Sequence, residues 1–349
     1  PRFSFRCALS RDRPADNLSW MQVSFVIPLF NCLDLTRACV ESLQRTVPAG
    51  LSHEIILVDD GSTDGTRAWL STLDTARGPF RVILNERNLG YAGANNRGVA
   101  QARGELLVLL NNDLILTRRW LQPMLAVHRC LGARAGCVGN VQRNARTGAI
   151  DHTGLVINLQ GKPEHDTRFP RWPGYTLRRA AAVTGACLLT RRDLFLGLGG
   201  FDEGYCNGGE DIDLCFRASA QGKRHAVALR SVIYHHISAS PGRKRRDEEN
   251  SRRLTLRWRD RLAALAARGW CQRYLEQHWA GPTANPDHAF ARAAFWHAYH
   301  LRTAPPSRAI DGMQIPIERE LAHWRVLLDG APPLPPAPPP AGPPAPAIL

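Results

Sequence analysis

Residues 23–131 alternate between short apolar stretches and longer amphipathic stretches. The apolar stretches are continuous and partly β-branched, which is typical of buried strands, and the amphipathic stretches have helical spacing. This alternation predicts an α/β fold with a mostly parallel, Rossmann-like central sheet flanked by helices. The strands are expected at 24–30, 53–60, 81–85 and 106–113, and the helices at 34–45, 66–73, 91–102 and 120–131.

Polar side chains stand at the carboxyl ends of these predicted strands. Asp59 and Asp60 end the second strand, and Asn111, Asn112 and Asp113 end the fourth. Ligands of parallel sheets bind beyond the carboxyl ends of the strands. The sequence therefore predicts one ligand site at this edge, to which residues 28–31 and 85–88 also contribute.

The second half of the chain is less regular. Residues 148–175 are rich in Gly, Pro and His, whereas VTGACLLT and SVIYHH each predict a strand. Four parts are expected. They are an N-terminal arm at 1–20, the α/β domain at 21–260, a helical extension at 261–330 and a disordered Pro- and Ala-rich tail at 331–349.

The chain is strongly basic, with a formal net charge of +14. This charge favours an anionic partner, namely nucleic acid, anionic lipid or a phosphorylated substrate, although an Arg-, Ala- and Pro-rich composition raises the pI without functional meaning. The basic residues are dispersed and lack interleaved aromatics, so we expect no nucleic-acid partner. Peripheral contact with an anionic membrane stays open, for example through the basic run 243–246.

Cysteine usage and hydropathy bear on location. The nine cysteines include no Cys-x-x-Cys pair, which favours reduced cytosolic thiols. No apolar run reaches the ~18 residues of a transmembrane helix. The chain begins at Pro1 without Met or an apolar signal core, which indicates an internal cut and leaves an upstream domain open. We expect a cytoplasmic protein, with peripheral association at the inner membrane face as the alternative.

Two common nucleotide-binding fingerprints are missing from the sequence. The first strand is followed by PLFNCLDL instead of Gly-x-Gly-x-x-Gly, and no Gly-x-x-x-x-Gly-Lys-Ser/Thr phosphate loop occurs. Carboxylates at strand ends replace the glycines. This pattern favours phosphate binding through a bridging metal over phosphate binding at a helix terminus.

Six motifs occur in one order: VIPLFN, LVDDGSTDGT, NERNLGYAGANNRG, LLNND, GGFDEGYCNGGEDIDLCFR and YHHISAS. Through them the chain resembles the family 2 glycosyltransferases over residues 23–259. The resemblance implies a GT-A fold and inverting transfer of a sugar from a nucleotide-sugar donor, UDP- or dTDP-linked, to a glycan or lipid-linked glycan. The segments DHTG, HDTRF and AVTGAC are similar to the rhamnosyltransferase-like, O-antigen-type branch.

The resemblance implies a divalent metal, Mn²⁺ or Mg²⁺, which bridges the donor diphosphate. Asp113 matches the last acid of the family's Asp-x-Asp-type motif, and His235 matches the histidine that completes the metal site. Asn111 and Asn112 are neutral here, so we expect them to position the donor without adding charge. His236 is the alternative ligand, or contacts phosphate, or packs.

The resemblance also implies the nucleotide contacts. Asp60 is expected to accept a hydrogen bond from the nucleobase imide N–H, and Asp59 to hold the loop or the ribose. Pro28 and Phe30 are expected to line the base. The same Asp-Gly-Ser-Thr-Asp-Gly stretch is a strong turn and helix-cap sequence, and both functions are compatible.

Three further positions have weaker assignments. Arg87 and Asn88 either flank the nucleotide or belong to a segment that only turns the chain. Gly185 is expected to let the backbone approach the sugar.

Glu210 and Asp211 stand at the start of a predicted helix after a Gly-rich loop. Inverting transfer needs a base that takes the acceptor hydroxyl proton. The resemblance implies that Asp211 is this base and that Glu210 orients acceptor or donor. Adjacent acids also help to keep one pKa raised. The alternative function is a non-catalytic module of the same fold, which binds a sugar nucleotide or acts as a scaffold.

Overall fold

The computed structural model describes residues 23–169, 174–236, 243–279 and 287–330. The N-terminal arm and the Pro- and Ala-rich tail expected from the sequence lie outside these residues. The side chains of 243–245 and 279 also lie outside the description, so the expectation for the basic run stays a prediction.

Strands and helices alternate through the first part of the described chain. In order they are β1 (Val23–Leu29), α1 (Leu33–Thr46), β2 (His53–Asp59), α2 (Thr66–Leu70), β3 (Phe80–Leu84), α3 (Gly90–Gln101), β4 (Leu106–Leu110), β5 (Leu114–Leu116) and α4 (Leu121–Leu131). The later elements are β6 (Ala135–Asn144), β7 (Ile150–His152), β8 (Leu155–Ile157), β9 (Pro163–His165), β10 (Leu177–Ala180), β11 (Cys187–Arg191), α5 (Arg192–Gly197), α6 (Glu210–Ala220), β12 (Arg224–His235), α7 (Arg243–Trp279), α8 (His288–Ala298) and α9 (Ser307–Asp329).

One large mixed sheet organises the α/β part. Its strand order is β10-β12-β6-β11-β4-β1-β2-β3, with β5 added to β12 and β7 to β6. The first four strands of the prediction, β1 to β4, are parallel. β11 lies between β4 and β6 and is antiparallel to both, while β12 is parallel to β6. The carboxyl ends of β1, β2, β4, β6 and β12 therefore meet at one edge.

Helices cover both faces of the sheet, which explains why its central strands are apolar throughout. Phe25 of β1 packs with Trp120 on the face covered by α1 and α4. The next residue, Val26, points to the opposite face, where α3 and α6 contribute residues such as Phe216. Two apolar layers therefore fix β1 between the helices.

Three helices follow the sheet. The long helix α7 is kinked at Trp258, whose backbone leaves helical geometry (φ −124°, ψ 23°). Its second half packs on α8 around Cys271 and Ala294. α9 also belongs to this extension and buries Trp324.

The α/β prediction is confirmed, but several details were wrong. β6 was not predicted, and residues 148–175, expected to be irregular, contain β7 and the β8–β9 hairpin. Within the helical extension, the last helix was expected only at 317–328. It runs instead from Ser307 and contains Pro316.

Candidate functional site

The loops that follow β1, β2 and β3 leave the sheet side by side. The register pairs Leu29 with Asp59, and Asp59 with Leu84. Asn111 follows β4, the other neighbour of β1. The structure therefore brings the strand-end clusters together, as the topology predicted.

The loop after β1 presents an exposed ring. Phe30 is 49% exposed beside the half-buried Pro28. The next two residues, Asn31 and Cys32, adopt left-handed conformations (φ 56° and 58°). The side-chain oxygen of Asn31 accepts a hydrogen bond from the backbone N–H of Thr63 at 2.8 Å. Such conformations cost of order 1 kcal/mol or more, so this bond helps to keep Phe30 facing outward.

Asp59 is fully buried and holds its own loop. It accepts hydrogen bonds from Arg67 Nε at 2.7 Å and from the backbone N–H of Ser62 at 3.3 Å. These contacts agree with the loop-holding alternative for Asp59.

Asp60 organises the neighbouring loop. Its carboxylate accepts from Asn85 Nδ2 at 2.7 Å and from the backbone N–H groups of Leu89 and Gly90, each at 2.9 Å. A carboxylate offers about four acceptor positions, so three protein donors leave one. The contact of Asp60 with a nucleobase stays a prediction.

Arg87 and Asn88 lie on the loop that Asp60 holds, and both are exposed. The side chain of Asn88 accepts from the backbone N–H of Gly90 at 2.9 Å, which fits the turn alternative. Gly61 lies against this loop with φ 83°, and a Cβ there would come 3.1 Å from the backbone nitrogen of Asn88. The contact of Arg87 with a nucleotide stays a prediction.

The two amides after β4 differ. Asn112 donates from Nδ2 to Thr36 Oγ1 at 2.8 Å and so anchors α1. Asn111 donates its backbone N–H to the carbonyl of Ala186 at 2.9 Å, while its side-chain oxygen is buried without a hydrogen-bond partner. An orphaned buried oxygen at a ligand edge is a place where a ligand or water is expected.

Asp113 and His235 face each other across the edge, with 3.2 Å between Asp113 Oδ1 and His235 Nε2. Both side chains are mostly buried, yet Asp113 Oδ1 accepts no well-aligned hydrogen bond and His235 Nδ1 has no partner. Two ligands at right angles around an ion with bonds of about 2.1 Å lie about 3 Å apart. The oxygen and nitrogen donors therefore fit a divalent metal such as Mn²⁺.

The adjacent histidine is placed differently. His236 donates its backbone N–H to the carbonyl of Asp113 at 2.9 Å. This bond orients the strand end and leaves His235 as the histidine whose ring meets the carboxylate. The geometry thus favours His235 over His236 as the candidate ligand.

The acid pair begins α6. Glu210 is buried and accepts from the backbone N–H of Gly208 at 2.7 Å. Asp211 accepts from the backbone N–H groups of Gly185 at 2.6 Å and Ile212 at 2.7 Å. The residue after Gly185 bonds to the end of β4, as described for Asn111. The acid pair and the Asp113–His235 pair therefore belong to one continuous site.

Burial disfavours the charged forms of both acids. It raises the pKa of Glu210 to about 8, and the charge of Asp211 adds to the increase. Burial also raises the pKa of Asp211, against the hydrogen bonds from Gly185 and Ile212. The pair is consequently suited to exchange a proton near neutral pH.

Gly185 lies in a tight position. Its carbonyl accepts from the hydroxyl of Tyr91 at 2.8 Å. A Cβ at this position would lie 3.0 Å from Tyr91 Oη and 3.4 Å from the Cβ of Asp211. A side chain at 185 would therefore press on Tyr91 and would only contact the candidate base.

Two asparagines that sequence reasoning missed hold the Gly-rich loop before α6. Asn207, itself in a left-handed conformation, accepts from the backbone N–H of Tyr91 at 2.8 Å. Asn250 of α7 makes two hydrogen bonds of 2.9 Å with the backbone of Cys206. No local sequence signal marks these long-range contacts.

A histidine pair was also missed. His152 of β7 is fully buried, and neither ring nitrogen has a hydrogen-bond partner. Burial lowers the pKa of His152 well below its usual range, and the nearby His165 lowers it further. The two rings meet edge to face with 4.8 Å between centroids, and His165 is near enough to Asp211 to favour its ionised form. The two histidines lie in the sequence segments DHTG and HDTRF, which were the only local signal for this pair.

A second group of metal-ligating residues lies in the core. Cys137, Cys215 and His225 are buried together. His225 Nδ1 accepts from the backbone N–H of Cys137 at 2.9 Å, and Nε2 contacts the carbonyl of Cys215 at 2.8 Å. Both ring nitrogens are occupied, so this cluster is a packing element.

Comparison with known proteins adds to the fold and to the geometry of this edge. Residues 24–196 match the family model described as glycosyl transferase family 2. These residues therefore form a glycosyltransferase family 2 domain. The family resemblance in the sequence is confirmed.

Similar proteins include enzymes of glycan assembly. The chain is 33% identical over 231 residues to the O-antigen biosynthesis protein RfbC of Myxococcus xanthus, covering 63% of this chain and 18% of that protein. It is 29% identical over 216 residues to the N-acetylglucosaminyl-diphospho-decaprenol L-rhamnosyltransferase of Mycobacterium tuberculosis, covering 54% of this chain and 68% of that enzyme. The chain is also 33% identical over 283 residues to a protein of Sinorhizobium fredii, covering 78% of this chain and 30% of that protein. The chain thus spans less than a third of the length of the first two curated relatives that it matches.

A solved structure supports the GT-A fold. The crystal structure of GalNAc-T7 with UDP, GalNAc and Mn²⁺ superposes with a TM-score of 0.58 at 17% identity, over 88% of this chain and 58% of that chain. This likeness confirms the predicted fold. Among the described helices, none is long and apolar enough to span a membrane.

Proposed function

We propose that this chain is an inverting glycosyltransferase that moves a sugar from a UDP- or dTDP-sugar to a glycan or lipid-linked glycan. The observation that carries the proposal is the acid pair of the buried Glu210 and the partly buried Asp211, joined through Gly185 to the strand end that holds Asp113. A buried acid pair costs stability, and a site that performs proton transfer gives such a cost a function. The relatives of rhamnosyltransferase and O-antigen type support this reaction class.

The nucleotide is proposed to bind along the loops after β1 to β3. Phe30 stacks on the base beside Pro28, and Asp60 accepts from its imide N–H with its remaining acceptor position. Arg87 approaches the phosphates or ribose from the exposed loop. The amide oxygen of Asn111, which lacks a partner, accepts a hydroxyl of the donor.

Asp113 and His235 are proposed to hold a divalent metal, Mn²⁺ or Mg²⁺. When bound, the cation neutralises the charge that grows on the departing diphosphate. Asp113 and His235 would supply one oxygen and one nitrogen ligand to this cation. The Mn²⁺ in the GalNAc-T7 structure supports the assignment.

Asp211 is proposed to remove the proton from the acceptor hydroxyl as that oxygen attacks the anomeric carbon. Attack from the side opposite the diphosphate, in a single displacement, inverts the anomeric configuration. Glu210 lies deeper, and its pKa of about 8 keeps it protonated near neutral pH, so that Asp211 carries the negative charge of the pair. The backbone N–H of Gly185 orients the Asp211 carboxylate.

The second candidate is a sugar-nucleotide-binding or scaffold module without catalysis. The neutral Asn111 and Asn112 favour it, because one carboxylate binds a metal more weakly than two. A panel of UDP-, dTDP- and GDP-sugars, each with Mn²⁺ or Mg²⁺, separates the candidates. The enzyme proposal predicts a thermal shift with one donor class and slow donor hydrolysis. A shift without hydrolysis or transfer favours the binding module, and no shift with any donor contradicts both.

A further inference from the structure

The outer face of α8 is unusually apolar for an exposed surface. Phe295, Trp296 and Tyr299 are 43%, 48% and 51% exposed, and Leu301 just beyond the helix is 53% exposed. The rings of Phe295 and Tyr299 lie 4.7 Å apart between centroids. Together the three rings expose roughly 300 Å² of aromatic surface, which is at the lower end of the size of apolar patches that are often functional.

The opposite face of the same helix is already occupied. Ala291, Ala294 and Ala298 are buried against α7. The small alanines let α8 pack closely, so its large aromatic side chains have no place in this core. The exposed rings are therefore a second surface of the helix.

The charged side chains on α8 and on the segment that follows it are arginines. The segment 288–310 contains Arg292, Arg302 and Arg308 and neither Asp nor Glu. Arg308 pairs with Asp287 at 3.0 Å. Arg292 and Arg302 are exposed and border the groove that Trp296 lines. The surface combines aromatic rings with positive charge.

This combination fits anionic lipid better than a second copy of the chain. Trp and Tyr rings favour the headgroup level of a bilayer, and arginines beside them attract an anionic surface. A two-fold contact through the same face would set Arg292 and Arg302 against like charges of the partner. An amphipathic helix with aromatics and arginines is typical of interfacial binding.

We propose that the outer face of α8, together with Leu301 and Arg302, docks the protein on the surface of an anionic membrane. The proposal of a docking surface depends only on the observations on α8 and the two residues named with it, and not on the proposed function. Its connection to catalysis rests on the proposed function, since a lipid-linked acceptor would be found at such a surface.

The test is co-sedimentation of the full chain with vesicles made of equal parts phosphatidylglycerol and phosphatidylcholine, and with pure phosphatidylcholine. We expect binding to the anionic vesicles and much weaker binding to the neutral ones. The double variant Arg292→Gln/Arg302→Gln should bind the anionic vesicles about 25-fold more weakly, from about fivefold per arginine. Arg129→Gln/Arg134→Gln, with the same charge removed at exposed positions of α4 and the turn after it, is the matched control.

The aromatic part is tested with Phe295→Ser/Trp296→Ser. This variant should lose most vesicle binding, while Phe30→Ser, which removes an equally exposed ring elsewhere, should keep it. Equal losses in the arginine pair and its control, or unchanged binding of the aromatic variant, overturn the proposal. A dimer that dissociates in the aromatic variant would identify a second copy as the occupant instead. Donor hydrolysis without vesicles is measured in parallel, so that vesicle binding without hydrolysis contradicts the proposed function alone.

Discussion

Replacing Glu210 by Gln should stabilise the protein in a strongly pH-dependent way. Burial and the charge of Asp211 raise the pKa of Glu210 from 4.5 to about 8. The folded state therefore prefers the protonated form, and this preference contributes stability that is complete below the unfolded pKa. The contribution is lost as the pH rises through the folded pKa.

The size of the effect follows from this increase. The increase of the pKa from 4.5 to about 8 corresponds to at most about 5 kcal/mol of lost stability above pH 8. Gln is nearly isosteric and its oxygen can still accept from the N–H of Gly208. We expect the free energy of unfolding of Glu210→Gln to exceed that of the unsubstituted protein by about 2 to 5 kcal/mol at about pH 9 and by almost nothing at about pH 4.

Urea unfolding of both proteins across this pH range measures the difference. Glu86→Gln is the control, because Glu86 is an exposed glutamate at the same edge. The free energy of unfolding of Glu86→Gln should stay within about 0.5 kcal/mol of that of the unsubstituted protein at every pH. A difference for Glu210→Gln that does not change with pH would refute the reasoning, since it would mean that the Glu210 carboxylate is not desolvated.

Other substitutions test the remaining parts of the site. His235→Ala should weaken Mn²⁺-dependent donor binding by at least about tenfold, whereas His236→Ala should change it little; equal effects would contradict the ligand assignment. Phe30→Ala should weaken nucleotide binding by about 5- to 100-fold in calorimetry, while Phe295→Ala, an exposed ring outside the site, should not. Gly185→Ala should lower kcat by about tenfold or more with little change in donor affinity, because its Cβ would press on Tyr91 and shift the backbone N–H that orients Asp211; an unchanged kcat would contradict this role.

The sequence was most informative where local pattern and topology coincide. β1, β2 and β4 are continuous apolar runs, so their parallel arrangement and the convergence of Asp59, Asn111 and Asp113 followed from the strand–helix alternation. β6 was missed because Gly136 and Gly139 interrupt its apolar pattern. The structure gives the reason for these glycines. A Cβ would meet the ring of His225 at 2.7 Å and Val183 at 2.8 Å.

The partners of the site residues could not be predicted from the sequence. The three donors of Asp60 come from the loop after β3, and the burial of His152 depends on the fold of the segment 148–175, which has no clear periodicity. Long-range contacts of this kind carry no local signal. The exposed face of α8 was missed for a related reason, because periodicity shows that a helix is amphipathic but not which apolar residues its neighbours cover.

Asp211→Asn tests the central claim most directly. The substitution keeps an oxygen that can accept from the N–H of Gly185 but removes the basic carboxylate. Donor hydrolysis and sugar transfer are measured together with nucleotide affinity. The account predicts a fall in kcat of about 100-fold or more with the donor dissociation constant nearly unchanged. Full activity of Asp211→Asn would contradict the assignment of the base, and with it the proposed mechanism.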